Sequence, residues 1–126
     1  MSATERAIEL VTTAAQAASD KLASNLLAFD VSEQLVITDA FLLCSASNER
    51  QVRSVVDEIE DKLREIGAKP IRREGERDGR WVLIDYGDVV VHVQHEEERQ
   101  FYALERLWRD CPTIPLPADV TVTHRG

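Results

Sequence analysis

The sequence predicts an α+β fold, a single mixed β-sheet of about five strands with helices packed on it, in the order α-β-β-α-β-β-β-α. Three observations point there. Residues 79–108 (GRWVLIDYGDVVVHVQHEEERQFYALERLW) read as two strands, a tight turn and a helix. Val52, Val55, Val56, Ile59, Leu63 and Ile66 recur at helical spacing with charges on the opposite face. The run AFLLC at residues 40–44 is continuously apolar, as a strand covered on both faces requires.

Each element follows from local chemistry. Ser2 with Glu5 three positions on forms a capping-box pattern, and Ala7, Ile8, Leu10, Val11, Ala14, Ala15, Ala18 and Leu22 place a helix over roughly residues 3–24. Its alanines permit close approach to a flat sheet. Residues 26–31 read as a strand and 32–34 as a turn. A second strand occupies 40–45, entered through Asp39, which caps a turn or contributes charge at an interface. Asn48 with Gln51 opens the second helix and Gly67 stops it. Pro70 starts a short edge strand over 70–73, and a polar loop at 74–80 leads to the hairpin. Glu96, Glu97 and Glu98 suit the positive start of a final helix and Arg106 and Arg109 its end, with Phe101, Leu104, Leu107 and Trp108 as its apolar face. Pro112, Pro115 and Pro117 cannot continue that helix. The chain is thus expected to be one domain over 1–110 and an extended or mobile tail over 111–126. The helices are expected to cover one sheet face.

The hairpin decides where function should be sought. Gly87-Asp88 suits a two-residue type II′ turn, which pairs Tyr86 with Val89, Ile84 with Val91 and Val82 with Val93. It also pairs Asp85 with Val90, Leu83 with His92 and Trp81 with Gln94. Side chains alternate across a strand, so Val82, Ile84, Tyr86, Val89, Val91 and Val93 share a core face. The opposite face carries Trp81, Leu83, Asp85, Val90, His92 and Gln94. Aromatic, aliphatic and polar groups mixed in this way suit an interface better than a sealed core.

Composition narrows the function classes. The 126 residues carry 15 Lys+Arg against 23 Asp+Glu, a formal net charge of -8. That argues against sequence-blind nucleic-acid binding, which needs cations to neutralise phosphates, and it suits a partner with a basic surface. With 44% hydrophobic and 30% charged residues the chain is globular in composition. Cys44 and Cys111 are too far apart in sequence for a zinc motif and too few for a disulfide framework. No stretch approaches the ~18 apolar residues of a membrane span, and the N-terminal region, with Glu5 and Glu9, resembles no export signal. A cytoplasmic location is expected.

Catalytic readings find little support. His92 and His95, three apart on a strand, point to opposite faces and cannot share a metal. Asp85 and Asp88 would make a carboxylate pair, but Asp88 falls in a turn that favours Asp for local bonding. The glycines at 67, 75, 79, 87 and 126 form no phosphate-cradling loop, and no nucleophile elbow is present. No catalytic residue, metal or cofactor is expected. Tyr86 reads as core-facing with its hydroxyl reaching the edge, and Trp81 as either a half-buried packing residue or an aromatic anchor.

The segment from Trp81 through Val93 (WVLIDYGDVVVHV), the residues from Arg99 to Trp108 (RQFYALERLW), Asp39 and the helix start at residues 48–52 together resemble the ribosomal silencing factor (Iojap-like) family. The resemblance spans about residues 5–110, and the tail after Cys111 matches nothing in it. It implies a nucleotidyltransferase-like fold without catalytic function. It further implies binding to the large ribosomal subunit through ribosomal protein L-fourteen, blocking the small subunit and so repressing translation, with dimerisation when free. Carried onto this chain, it makes Trp81 the anchor, Leu83 its apolar neighbour, Asp85 and Asp88 the acidic contacts to basic groups, and Tyr86 and His92 supporting contacts. The competing readings are a nucleotidyltransferase-like enzyme and a purely self-associating scaffold.

Overall fold

The computed structural model describes residues 3–75, 77–102, 104–117 and 120, with side chains left out at 101 and 102. Its elements are α1 (Glu5–Asp20), β1 (Ser24–Asp30), β2 (Ala40–Ala46), α2 (Glu49–Glu65), β3 (Arg72–Glu74), β4 (Trp81–Asp85), β5 (Val89–His95), α3 (Glu96–Tyr102) and α4 (Leu104–Leu107). The five strands form one mixed sheet in the order β1-β2-β5-β4-β3. Only β2 and β5 run parallel, and the other neighbours are antiparallel. The expected α+β class and element order hold.

Helix starts are set by side-chain caps. Asn48 Oδ1 accepts from Gln51 N at 2.8 Å, satisfying a donor that the first turn of α2 leaves open. Gln51 does not close the reciprocal box. Its Oε1 accepts from Ser47 N at 2.8 Å, and its Nε2 donates to Lys21 O and Leu22 O, both at 3.0 Å. One side chain thereby ties the start of α2 to the end of α1. Replacing Asn48 with Ala should lower stability by about 1 kcal/mol, measured as a shift in the urea midpoint at constant slope. At α1 the cap is Thr4, whose Oγ1 accepts from Ala7 N at 3.1 Å. The expected Ser2 lies outside the described residues, and the helix begins two positions later than its box requires. Asp39 joins this end too, with Oδ2 accepting from Thr4 N at 3.0 Å. The helix stops at Asp20, short of the expected 24, because Leu22 turns left-handed (φ 66°) and Ala23 N bonds back to Ala18 O at 3.0 Å.

The sheet is covered on both faces. On one, Ala7, Leu10, Val11, Ala14, Ala15 and Ala18 of α1 and Val52, Val55, Val56, Ile59 and Leu63 of α2 pack over Leu42, Cys44, Val82, Ile84, Val89, Val91 and Val93. On the other, Leu104 and Trp108 pack with Phe29, Leu43, Phe41, Leu27, Leu35 and Cys111. The expectation of helices on a single face therefore needs correction. The final helical segment folds back over the strand ends, since the alternation of β1 and β2 leaves a second apolar surface there. Leu107, placed by its spacing on the apolar face of that segment, is instead 72% exposed. After Trp108 the chain runs along β1. Asp30 N donates to Pro112 O at 2.8 Å, Ile114 N donates to Ala28 O at 2.9 Å, and Phe29 pairs with Thr113. No helix among the described residues is long and apolar enough to cross a membrane.

Candidate functional site

The hairpin adopts the register that the turn demands. Trp81 lies opposite Gln94, Val82 opposite Val93, Leu83 opposite His92, Ile84 opposite Val91 and Asp85 opposite Val90. Tyr86 N donates to Val89 O at 2.9 Å, closing the turn, with Gly87 at φ 86°. Only glycine takes that conformation without strain. Gly75 (φ 85°) has a second reason to be glycine: a side-chain carbon there would collide with the carbonyl oxygen of Trp81. The backbone at Gly75 can press against the start of β4 because no side chain projects there.

Val82, Ile84, Tyr86, Val89, Val91 and Val93 are all buried on the helix-covered side. The opposite side gathers Trp81, Leu83, Val90 and His92, and the β2–β5 register brings Phe41 beside Val90 and Leu43 beside His92. Trp81, Leu83, Asp85, Val90 and Phe41 are half-buried. The Trp81 indole N–H donates to His92 Nδ1 at 3.2 Å, with ring centroids 6.1 Å apart. Phe41 stands edge-on to His92 at 5.5 Å and to Trp108 at 5.1 Å. Edge-to-face pairs at such distances stabilise by about 0.5–1.5 kcal/mol beyond area burial. The rings from Trp108 through Phe41 and His92 to Trp81 thus form a braced row across β2, β5 and β4.

His92 is neutral in this row. Burial pushes its pKa down from 6.5 to about 4, and the Arg99 guanidinium adds to the effect. A neutral Nδ1 is also what the Trp81 indole needs as acceptor. Because the folded pKa is lowered, the unfolded chain binds the proton more readily. Stability from His92 is therefore complete above about pH 6.5 and is lost as pH falls toward 4, by roughly 3 kcal/mol at 1.36 kcal/mol per unit. Urea unfolding of His92→Gln should lack this component of the slope between those limits, and an unchanged slope would contradict the assignment.

The other expected residues fall at different places. Asp85 accepts from Gly87 N at 2.8 Å through Oδ1, while Oδ2 lies 3.4 Å from Arg72 Nε. Its carboxylate stabilises the turn and meets the edge strand. Asp88 is exposed at the tip, and its carbonyl accepts from Asp39 N at 2.9 Å and Ala40 N at 3.1 Å. Tyr86 lies on the opposite face from Trp81, 8% exposed, and its buried hydroxyl has no hydrogen-bond partner among the described residues. Burial, reinforced by Glu60, pushes that hydroxyl up to about 12. The structure therefore unites Trp81, Leu83 and His92, sets Asp85 and Asp88 toward the turn, and separates Tyr86 from them.

Two groups join the site that sequence spacing did not reveal. Arg99, 6% exposed, donates to Ser45 Oγ at 3.2 Å and to Glu105 at 3.1 Å, pinning the final helical segment over the sheet. Arg80 does the same from the strand start, at 2.9 Å from Glu97 and 3.0 Å from Glu98. At the turn end, Val36 and Ile37 are 101% and 85% exposed, and Thr38 Oγ1 bonds Gly87 O at 2.9 Å. Exposed Ile71, just before β3, approaches Gly87. The apolar surface thus continues past the turn. Its signal was present in the run LVIT at residues 35–38, just before Asp39.

Among the described residues, no three His, Cys, Asp or Glu side chains lie where they could hold a metal ion. His95 accepts from Glu97 N at 3.1 Å, away from His92. Burial pushes the Cys44 thiol up to about 12, so it stays protonated and unreactive. What the face offers is shape, apolar area and a few fixed polar groups.

Residues 4–125 match the model of a family described as ribosomal silencing factor during starvation, so the match extends through the C-terminal tail. The ribosomal silencing factor of Halalkalibacterium halodurans is 44% identical over 108 residues, covering 86% of this chain and 92% of that protein. That of Bacillus subtilis is 44% identical over 103 residues, covering 82% and 87%. A crystal structure of a Chromobacterium violaceum protein superposes with a TM-score of 0.77 at 31% identity, over 87% of this chain and 92% of the other. With the family match spanning nearly the whole sequence and the same fold beneath it, this chain belongs to the ribosomal silencing factor family.

Proposed function

We propose that this protein is a non-enzymatic translational repressor. It binds the large ribosomal subunit at ribosomal protein L-fourteen through the Trp81 face and sterically blocks association with the small subunit. The observation that carries this reading is the half-buried row of Trp81, Leu83, Val90 and Phe41, braced by His92 within β5 and, at its β2 end, by Trp108 of the final helical segment. A rigid aromatic anchor beside fixed polar groups is the usual composition of an interface hot spot. Family membership supplies the ribosomal partner. Asp85 and Asp88 at the turn, with the net charge of -8, favour basic protein surface over RNA and speed encounter with it. Val36, Ile37 and Ile71 extend the contact at that end, and Tyr86 supports the face from within the core. Cytoplasm is the site of action, and the free protein forms homodimers.

Repression by this route consumes nothing and works by mass action. Large subunits incubated with excess protein should sediment with it, and small subunits added afterwards should remain unjoined on a sucrose gradient. Undiminished joining with the protein bound would refute steric blocking. A nucleotidyltransferase-like enzyme is the weaker reading, because it rests on likeness of fold alone.

A further inference from the structure

Buried polar groups collect at the end of the sheet away from the hairpin turn. In the β2–β5 register Ser45 lies beside Gln94, and both are fully buried. Register partners share a face. Here it is the face covered by the final helical segment, because Arg99 Nη1 donates to Ser45 Oγ at 3.2 Å. Neither polar atom of the Gln94 amide has a hydrogen-bond partner among the described residues. A side-chain amide offers two donors and an acceptor, and buried groups of that kind are satisfied by protein, water or a bound molecule in nearly every fold.

An open cavity of about 450 Å³ lies alongside, lined by Asn25, Glu96, Arg99, Gln100, Glu105 and Arg106. Arg99 joins it to the buried group: only 6% exposed, it bonds Ser45 on the sheet and also forms part of the cavity wall. Glu105 is held 3.1 Å from Arg99 Nε, while Arg106 and Glu96 are exposed. Asn25 sits in the irregular stretch of β1 between Ser24 and Leu27, with φ at 52°. An irregularity of this kind re-aims a side chain at the edge of a sheet.

The lining decides the class of ligand. Two guanidinium groups are matched by two carboxylates, and the other two side chains are amides. A wall balanced in this way does not collect polyphosphates or nucleic acid, which need an excess of cations. Its potential is complementary to a small molecule that carries one charge of each sign. The volume lies within the roughly 300–1,000 Å³ of small-molecule sites.

We propose that this cavity binds a free α-amino acid. Arg99 and Arg106 take its carboxylate, Glu96 and Glu105 its ammonium group, and the Gln94 amide behind Arg99 completes the polar inner wall.

Calorimetric titration of the full-length free protein with each of the common α-amino acids tests the proposal. No ribosome takes part, so the outcome is independent of subunit binding. Saturable one-to-one binding of at least one amino acid is the expected result. Its methyl ester, which lacks the carboxylate charge, should bind about tenfold more weakly or worse. Arg106→Gln, at an exposed position, should weaken binding by about tenfold and leave the thermal melt unchanged. Gln94→Leu removes an unpartnered buried amide, so it should fold at least as stably as wild type and yet bind more weakly. A residue that served packing alone would show the first effect without the second. Should Gln94→Leu fail to fold, Arg106→Gln alone decides. Absence of binding by every amino acid, or binding that Arg106→Gln leaves unchanged, would overturn the site. Tighter binding of inorganic pyrophosphate than of any amino acid would overturn the ligand class.

Discussion

Trp81→Ala should weaken binding to the large subunit about thirtyfold, roughly 2 kcal/mol, while leaving the fold intact. The ring is half-buried and lies at the outer end of the aromatic row, so its loss removes contact area without opening the core. Removing the indole also takes away the donor to His92 Nδ1, leaving a mostly buried acceptor to find another partner. Trp81→Phe keeps a ring and loses only that donor, so it should fall between wild type and Ala. Titration of labelled protein against large subunits gives the affinity, and a thermal melt shows that folding is retained. Binding by Trp81→Ala within twofold of wild type would remove Trp81 as the anchor.

Ile84→Ala should destabilise the protein by about 2–5 kcal/mol, a large part of the roughly 5–15 kcal/mol that holds a domain of this kind together. Ile84 is fully buried, opposite Val91 on one side and Arg73 on the other, under the α1–α2 layer. Truncation leaves a cavity that the sheet, bonded to a neighbour on each side of β4, cannot collapse to fill. Leu83, one residue earlier, points to the other face and is half-buried. Leu83→Ala should therefore cost little stability and reduce affinity, whereas Ile84→Ala should do the reverse in the folded fraction. Urea unfolding and subunit titration of both variants separate the two effects. Equal destabilisation by the two would mean that the faces are not divided as the register requires.

The parts of the fold legible in sequence are those specified by neighbours. The hairpin register follows from a two-residue turn at Gly87-Asp88 and strict alternation on both sides of it. Asn48 and the apolar series beginning at Val52 mark α2 from within a few residues. What escaped was decided at long range. Nothing local in CPTIPLP, residues 111–117, tells that Thr113 will pair with Phe29, since prolines argue against a strand in any sequence window. Leu107 fits a helical stripe on paper, but the segment docks through Leu104 and Trp108 and turns Leu107 to solvent. The α1 cap moved from Ser2 to Thr4 because Asp30 and Asp39 hold the backbone N–H groups of Ala3 and Thr4 from the β1–β2 region. At the site, alternation was enough to gather Trp81, Leu83 and His92 on one face. It could not place Phe41 or Arg99 beside them, since those contacts depend on strand order and on where the final helical segment folds back.

The most direct test of the central claim is a photo-cross-linker placed at Leu83, on the face proposed to dock, and irradiated in complex with purified large subunits. The account predicts a covalent product on ribosomal protein L-fourteen that disappears when unlabelled wild type competes. The same probe at Ile8, on the exposed side of α1, should give none. Cross-linking from Ile8 in place of Leu83, or from Leu83 only to a different subunit component, would contradict it.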